Sequence, residues 1–193
     1  MEREILFTGV GGQGVQLAAH VLAHAAISED RHVMLLGTYG GTMRGGNTDV
    51  SLVVGDAPIA SPPVVSRAWS AVLMHHAFWG PLRRKLADDS VLVVNSSLFE
   101  GELDRERLRV FEVEATRIGT ESGSALAASL ALIGAYAAVT ALVGVDSLVA
   151  AMLEALPPYR RQHAETNEKA LRAGFAAAPA GAAPAWTSEG QAA

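Results

Sequence analysis

A glycine-rich turn near the N-terminus is the part of the chain whose residue types and spacing are best suited to bind a ligand. Residues 9–14 read Gly-Val-Gly-Gly-Gln-Gly, after the apolar run Ile5–Phe7 and before a helical pattern that starts at Val15. In this order of strand, turn and helix, glycines let the backbone come close to a phosphate. The unpaired N–H groups at the start of the helix favour the anion. The spacing predicts a phosphate or nucleotide site, with a ligand-free βα turn as the alternative.

The sequence lacks one residue of a typical NAD site. Such a site has an acidic residue at the end of the second strand, where it holds the ribose. Here Glu29 and Asp30 precede the second predicted strand, residues 33–36, and Gly37–Gly40 follow it. The sequence therefore makes NAD less favoured and leaves open a phosphate ligand that is held in another way.

A second glycine-rich stretch, Thr38–Thr48, is also a candidate site. It contains four glycines, Tyr39 and Arg44. A plain connection between strands is rarely so long and so rich in glycine, and an arginine offers a planar, permanently charged fork for phosphate or carboxylate. Because the stretch follows the end of a strand, we expect it to lie beside the first glycine turn. The alternative is a surface loop with a solvated arginine.

Composition limits the function. At 193 residues and 50% hydrophobic, the chain is expected to form one ordinary domain with a real core. The net charge of −5 argues against a general nucleic-acid binder, and the absence of cysteine excludes disulfides, thiolate zinc sites and cysteine-held iron–sulfur clusters.

His20 and His24 lie one helical turn apart without a third ligand, so no metal site is predicted. A cytoplasmic location is expected, since residues 1–4 lead directly into a strand and do not form a signal peptide.

The pattern of apolar residues predicts the elements that position these stretches. Ser124–Val145 carries no charge, but it is rich in alanine and lacks basic flanks, so we expect a buried helix and no membrane span. The predicted fold is a three-layer α/β/α arrangement with a Rossmann-like first βα unit, a mostly parallel sheet with an antiparallel or edge strand, and a helical C-terminal part. Residues 1–176 are expected to form the domain, and 177–193 a disordered tail. Predicted strands cover residues 4–8, 32–36, 49–54, 71–74, 91–94 and 109–113; predicted helices cover 15–28, 78–87, 124–143, 146–156 and 160–175.

Taken together, the motifs resemble the gamma subunit of the 2-oxoacid:ferredoxin oxidoreductases. The similarity lies in Gly9–Val15, in Tyr39-Gly40 followed by Met43–Gly46, in Val91–Leu98 and in Asn167–Gly174. It covers approximately residues 2–176. The resemblance implies an enzyme complex that decarboxylates a 2-oxoacid on thiamine diphosphate, passes electrons through [4Fe-4S] clusters to ferredoxin and forms acyl-CoA. It further implies that alpha and beta subunits hold the thiamine cofactor and that other subunits carry the clusters.

The resemblance also implies a role for this chain. The gamma subunit is a non-catalytic α/β domain that closes over the active site and helps to hold coenzyme A. The contacts to coenzyme A would come from the two glycine stretches and from the end of a central strand: Gly9, Gly11, Gly12, Gln13, Gly14, Tyr39, Arg44, Gly45, Gly46 and Asn95.

Three positions depart from the family pattern. Members often have a proline where Gly41 stands, an acidic residue where Thr42 stands and an asparagine where Ser129 stands. Two other functions stay open at this point: a stand-alone NAD(P)-dependent oxidoreductase, and a purely structural subunit whose glycine stretches form interfaces.

Overall fold

The chain forms a mixed α/β fold around one six-stranded sheet. The computed structural model describes residues 1–39, 45–60 and 63–186, and at positions 38 and 39 the backbone alone. The strands are β1 (Glu2–Val10), β2 (His32–Tyr39), β3 (Asn47–Gly55), β4 (Ala68–Leu73), β5 (Leu86–Asn95) and β6 (Arg109–Val113). The helices are α1 (Val15–Ser28), α2 (Trp79–Arg83), α3 (Ala115–Ser122), α4 (Ala128–Thr140), α5 (Val145–Ala155) and α6 (Ala164–Ala176).

The sheet has the order β2-β3-β1-β4-β5-β6. Strands β1, β4, β5 and β6 pair in parallel, whereas β3 runs antiparallel to both β1 and β2. The reversal is possible because the connection between Tyr39 and Asn47 is too short for the crossover that a parallel neighbour would need. The predicted α/β class, with a mostly parallel sheet and an antiparallel or edge strand, is confirmed. As a result, the C-terminal ends of all strands except β3 lie at one edge, which we call the carboxyl edge.

Both faces of the sheet are buried, but the two layers differ in size. On one face, Ile5, Phe7 and Val93 pack against α1 and the helices from α3 to α6. On the other, Leu6 and Leu92 pack against the short helix α2 and the segment that follows β5. Alternating side chains of one strand thus enter different clusters, as the two-residue period of a strand requires. The thicker helical layer contributes to the carboxyl edge through the start of α1 and the start of α4.

Helix α4 is the centre of the thicker layer. Every residue from Ser129 to Thr140 is buried, which is typical of a helix that is apolar all round. Tyr136 on this helix hydrogen-bonds to Ser70 of β4, with 2.8 Å between the two hydroxyl oxygens, and burial raises its pKa well above the usual range. Within the described part of the chain, no helix is long and apolar enough to cross a membrane.

Two glycines let α4 and α6 pack with their backbones in contact. A Cβ atom at Gly134 would overlap the carbonyl oxygen of Leu171, and one at Gly174 would overlap the carbonyl oxygen of Ala131. These are backbone atoms and cannot rotate away. Gly174 also belongs to the C-terminal stretch 167–174 of the family resemblance. Its structural role here is to let α6 pack closely against α4.

Some predicted boundaries shift. The predicted helix 78–87 is a 3-10 turn at His76–Phe78 followed by the short α2, and β5 already begins at Leu86. The predicted helix 160–175 begins as a 3-10 turn over Pro158–His163 and becomes α-helical at Ala164. Helix α3 was not predicted, because its sequence contains Gly119 and few apolar residues.

The predicted disordered tail is wrong for residues 177–186. The backbone N–H groups of Gly181, Ala183 and Ala185 donate hydrogen bonds to the carbonyls of residues 138–140 at the end of α4, at 2.7, 2.9 and 2.6 Å. Ala183 and Ala185 are fully buried. The segment is ordered because the last carbonyls of a helix have no partner within the helix, and small side chains let a second backbone approach them. Residues 187–193 lie outside the described part.

Removing this segment tests its contribution. Deletion of residues 177–193 is expected to lower the free energy of unfolding by about 2–4 kcal/mol, because three backbone hydrogen bonds of about 1 kcal/mol each are lost together with the packing of Trp186. The Trp186 indole N–H donates to the Leu142 carbonyl at 3.1 Å, and the Arg31 guanidinium lies 4.2 Å from the ring centre. The measurement is urea unfolding. The control, deletion of residues 187–193 alone, keeps these contacts; equal losses in both variants would contradict the prediction.

Candidate functional site at the carboxyl edge

The first glycine turn is held by hydrogen bonds within its own backbone and by one side chain. The Gln13 N–H donates to the Val10 carbonyl at 3.1 Å, and the Val10 N–H donates to the Gln13 Oε1 atom at 2.8 Å. Gly12 and Gly14 have positive φ angles of 103° and 82°, which glycine adopts without steric penalty. A Cβ at Gly9 would lie 2.9 Å from Gln13 Oε1. Gln13 is therefore a part of the turn itself, and its carbonyl oxygen already has a partner.

The turn presents the N-terminus of α1 at the carboxyl edge. Gly14 precedes the helix in a left-handed conformation and gives it no side-chain cap, and the first turn of α1 contains no acidic residue. The first N–H groups of a helix lack partners within the helix, and the positive end of the helix dipole adds to their attraction for an anion. The start of α1 thus has the geometry of an anion site.

The second glycine stretch reaches the first one, as predicted. The Gly11 N–H donates to the Gly46 carbonyl at 2.8 Å, and Val10 pairs with Asn47 at the end of the β1–β3 ladder. Gly45 has a positive φ of 80°. Because the Gly11 amide is used in this contact, the amides that remain for a ligand are those of Gly12, Gly14 and the first turn of α1. Residues 40–44, with Arg44, and the Tyr39 side chain lie outside the described residues.

A polar cluster that was not predicted fixes the end of this stretch. The Thr8 hydroxyl donates to Asp49 Oδ1 at 2.5 Å, and Asn47 Nδ2 donates to Asp49 Oδ2 at 2.9 Å. Thr8 is almost fully buried. The three residues join the ends of β1 and β3, directly beside Gly46. The sequence signal was a set of polar residues at the ends of two predicted strands, and pairing these strands would have brought them together.

Asn95 lies at the carboxyl edge, where the sequence placed it, but its amide has a partner. It is buried, and its Nδ2 atom donates to the Thr116 hydroxyl at 2.9 Å. The Thr116 N–H also donates to Asn95 Oδ1, at 3.4 Å. Asn95 therefore connects the end of β5 to the first turn of α3.

A cavity of about 220 Å³ opens beside the glycine turn. It lies between the turn, the end of β5 and the starts of α3 and α4. Most of the lining is apolar, and four of the lining side chains are polar. The lining residues are Gly12, Gln13, Met74, Asn95, Leu98, Thr116, Ala125, Leu126, Ala128, Ser129 and Leu132. None of these lining residues is charged. The cavity was not predicted, because its far wall comes from α4, which is distant in sequence from the turn.

Two histidines lie next to each other at this edge. His75 and His76 follow β4, with ring centres 4.6 Å apart, and His76 Nδ1 donates to the Leu98 carbonyl at 2.9 Å. Among the residues that the structure describes, no group of three or more histidine, cysteine or acidic side chains could hold a metal ion.

The fold and this edge define a class: a Rossmann-like α/β protein that presents a glycine turn, a helix N-terminus and a second glycine stretch at one end of its sheet. Within that class, the chain belongs to the pyruvate ferredoxin/flavodoxin oxidoreductase family, whose model matches residues 4–177. The family resemblance seen in the motifs is confirmed.

Relatives match this chain over nearly their whole length. The pyruvate synthase subunit PorC of Methanothermobacter thermautotrophicus is 29% identical over 174 residues, which is 89% of this chain and 93% of the relative. The 2-oxoglutarate synthase subunit KorC of Archaeoglobus fulgidus is 31% identical over 174 residues, 90% and 87% of the two chains.

Solved structures share the fold. The gamma subunit of a keto/oxoacid ferredoxin oxidoreductase from Geobacter sulfurreducens superposes with a TM-score of 0.78 at 24% identity, over 92% of this chain and 96% of that one. The 2-oxoglutarate:ferredoxin oxidoreductase of Magnetococcus marinus, solved with 2-oxoglutarate, coenzyme A and succinyl-CoA, gives a TM-score of 0.82 at 14% identity. That comparison covers 92% of this chain but 31% of the larger one.

Proposed function

We propose that this chain is the gamma subunit of a thiamine-diphosphate-dependent 2-oxoacid:ferredoxin oxidoreductase complex that forms acyl-CoA and carbon dioxide. In this complex it helps to bind coenzyme A and to close the active site. The observation that carries the proposal is the hydrogen bond between the Gly11 N–H and the Gly46 carbonyl. This bond holds the two glycine stretches together at the N-terminus of α1, where an anionic carrier would bind. The coenzyme A in the Magnetococcus marinus structure supports the same assignment.

The roles assigned to the subunits follow from the residues that this chain contains. A chain without cysteine has no thiolates for an iron–sulfur cluster, so the [4Fe-4S] clusters belong to a ferredoxin-like subunit or other partners. Thiamine diphosphate lies between the alpha and beta subunits, and the bond-breaking steps take place there. The complex works in the cytoplasm, and this chain supplies neither a catalytic residue nor a metal ligand.

The coenzyme A contacts are assigned to two groups of residues. The amides of Gly12, Gly14 and the first turn of α1 face the phosphates, while Gly9, Gly11 and Gln13 keep the turn in shape. Arg44 pairs with phosphate charge, Gly45 and Gly46 let the second stretch lie close to the pantetheine arm, and Tyr39 and Asn95 contribute at the margin.

The NAD(P) alternative is not favoured. No acidic residue stands between Gly37 and Thr48, and the acid that follows, Asp49, is already hydrogen-bonded to Thr8 and Asn47. The ribose diol of a dinucleotide would find no free carboxylate at the end of β2. A titration of the isolated chain with NADH, followed by fluorescence, is expected to show no binding.

Arg44 gives the direct test of the proposed function. In the assembled complex, Arg44→Ala is expected to weaken coenzyme A binding by about 1.5–3 kcal/mol, because a charge-assisted hydrogen bond is lost. Decarboxylation of the 2-oxoacid, followed as carbon dioxide release with an artificial electron acceptor, is expected to stay intact. Arg84→Ala, at an exposed arginine after α2, is the matched control. If decarboxylation fails while coenzyme A affinity is unchanged, the role of Arg44 is wrong.

A purely structural role is tested separately. Coenzyme A added to the assembled complex is expected to slow hydrogen exchange of the backbone amides in residues 9–14 and 38–48, since bound phosphates accept from these N–H groups. If coenzyme A binds and both segments exchange at unchanged rates, they form interfaces and do not contact the ligand.

A further inference from the structure

A groove on the helical layer lies between α1, the 3-10 turn Ala125–Ala127, the end of α5 and the start of α6. We call it the helical groove. Its apolar part comes from leucines of four different segments: Leu17, Leu126, Leu130 and Leu156. None of the lining side chains is acidic. Its volume of about 260 Å³ is below the range of about 300–1,000 Å³ typical of a pocket that encloses a whole ligand. The groove therefore has room for a few side chains.

Two large apolar side chains are exposed at the rim of the helical groove. Leu126, which lines the groove, is 79% exposed, and Tyr159 is 73% exposed. Tyr159 lies beside the groove, because the guanidinium of Arg160, another lining residue, is 5.7 Å from the centre of the tyrosine ring. Exposed apolar residues that cluster beside an apolar groove are typical of a binding surface for another protein. Tyrosine and arginine are also enriched in such interfaces.

The cations at this rim have no acidic partner within the chain. Arg160 and Arg161 are both exposed, and in the described part of the chain neither guanidinium makes an ion pair or a hydrogen bond. The connection between α5 and α6 contains no acidic residue. By contrast, Arg172 of α6 pairs with both Asp146 and Glu168. The chain as a whole has a net charge of −5, so this rim is a local positive charge on an acidic protein.

The helical groove adjoins the candidate site at the carboxyl edge. Leu126 lines both the groove and the cavity beside the glycine turn. Leu17 belongs to the first turn of α1. A protein segment in the groove would therefore lie next to the N-terminus of α1, where the phosphates of coenzyme A are proposed to bind.

We propose that the helical groove docks a segment of another subunit of the complex, and that this segment carries an apolar side chain flanked by carboxylates. The apolar side chain enters between the leucines, where its burial removes apolar surface from water. The carboxylates pair with Arg160 and Arg161. The inference rests on the part of the proposed function that makes this chain a subunit, and it adds the place where a partner is held.

Other occupants fit the groove less well. A small anion would pair with the arginines and leave Leu126 and Tyr159 exposed to water. A second copy of this chain, related by a twofold axis, would place the same patch on both sides of the contact. Arg160 and Arg161 would then face their own copies, and like charges across an interface are unfavourable.

The first test measures assembly. The purified chain is immobilised, and the other subunits of the complex, expressed together without it, are the binding partner. Leu126→Asp and Arg160→Glu are each expected to weaken assembly at least about tenfold, because an apolar anchor and a matched charge are lost. Salt is expected to weaken assembly of the unmodified chain more than that of Arg160→Glu.

Two matched controls accompany these variants. Val64→Asp changes an apolar residue that is 74% exposed, and Arg84→Glu changes an exposed arginine after α2. Neither residue lines the helical groove, so both variants are expected to assemble with unchanged affinity. Equal losses in the controls would overturn the inference, because the effect would then follow exposure or net charge and not the groove.

The second test identifies the chemistry of the partner. The chain contains only two lysines, Lys85 and Lys169, so Arg160→Lys introduces a new amine at the rim and keeps the charge. A carbodiimide, which couples amines to carboxylates, is expected to join residue 160 to an aspartate or glutamate of another subunit in the assembled complex. Arg84→Lys, the control, is expected to give no such product. A product between two copies of this chain, or none at residue 160, would overturn the inference.

The outcomes separate this inference from the proposed function. If the unmodified chain does not assemble with the other subunits, the proposed function fails and the inference fails with it. If it assembles, and Leu126→Asp and Arg160→Glu assemble as tightly, the inference is overturned alone. It is also overturned if Arg160→Glu assembles normally and the complex binds coenzyme A more weakly, because the groove is then a ligand site. Should either variant not fold, Leu126→Ser and Arg160→Gln are measured against the same expectations.

Discussion

One methyl group added at Gly134 is expected to lower the free energy of unfolding by about 3 kcal/mol, because overpacking a core contact forces the backbone to move. The Cβ of Gly134→Ala would overlap the Leu171 carbonyl oxygen and press on the Phe175 N–H. Both are backbone atoms of α6, so the two helices must separate. The separation would disturb the whole buried length of α4, including the Tyr136–Ser70 hydrogen bond to the sheet.

Urea unfolding measures this loss, and Gly80→Ala is the control. Gly80 also lies in a helix, α2, but a Cβ there has open space around it. The control is expected to be neutral or stabilising by up to about 1 kcal/mol, since alanine is the better helix former. Similar losses at the two positions would mean that α4 and α6 tolerate a wider spacing than their contact indicates.

Gly14→Ala is expected to destabilise the chain by about 2–4 kcal/mol through two separate effects, a left-handed backbone and a steric overlap. The φ of Gly14 is 82°, and the new Cβ would lie 2.6 Å from Ser129 Oγ. Since the turn sets the direction of α1, the same substitution is expected to weaken coenzyme A binding by the complex at least tenfold, about 1.4 kcal/mol.

A double-mutant cycle separates the two effects. In a Ser129→Ala background most of the overlap is relieved, because the nearest remaining atom, the Cβ of residue 129, is at 3.3 Å. We expect Gly14→Ala to cost about 1 kcal/mol less in this background, in the range measured for residues in contact. Gly12→Ala serves as the control: its φ is 103° and no atom lies within 4 Å of a Cβ there. The loss of unfolding free energy for Gly12→Ala should be the same in both backgrounds. If the loss for Gly14→Ala is also independent of residue 129, the steric overlap does not contribute to it.

The sequence predicted those parts of the fold that depend on local pattern. Helix α1 and strand β6 have the predicted bounds of 15–28 and 109–113, because their apolar residues recur with a clear helical or strand period. The glycine spacing likewise identified the first turn without any tertiary information. Local signals were sufficient wherever the contacts that stabilise an element lie within that element.

The missed features depend on contacts between distant segments. Residues 177–186 have the composition of a disordered segment, and they are ordered because the end of α4 offers unpaired carbonyls. Helix α3 is weak by propensity, and its first turn is fixed by Asn95 from β5. At the site, the glycine turn was predictable from the sequence. The part of the cavity wall that comes from α4 was not, since Ser129 contacts Gly14 only when α4 is packed against the sheet.

The reversed direction of β3 has a consequence for how such a site diversifies. In a wholly parallel sheet, the connection that leaves β2 would have to travel to the opposite edge before the next strand began. Here the chain leaves β2 at Tyr39 and re-enters at Asn47 on the same edge, and the ladder fixes both anchor points through the pair Tyr39–Thr48. Segments of different length and charge can therefore be exchanged between these two anchors while the pairing of β2 with β3 keeps its register.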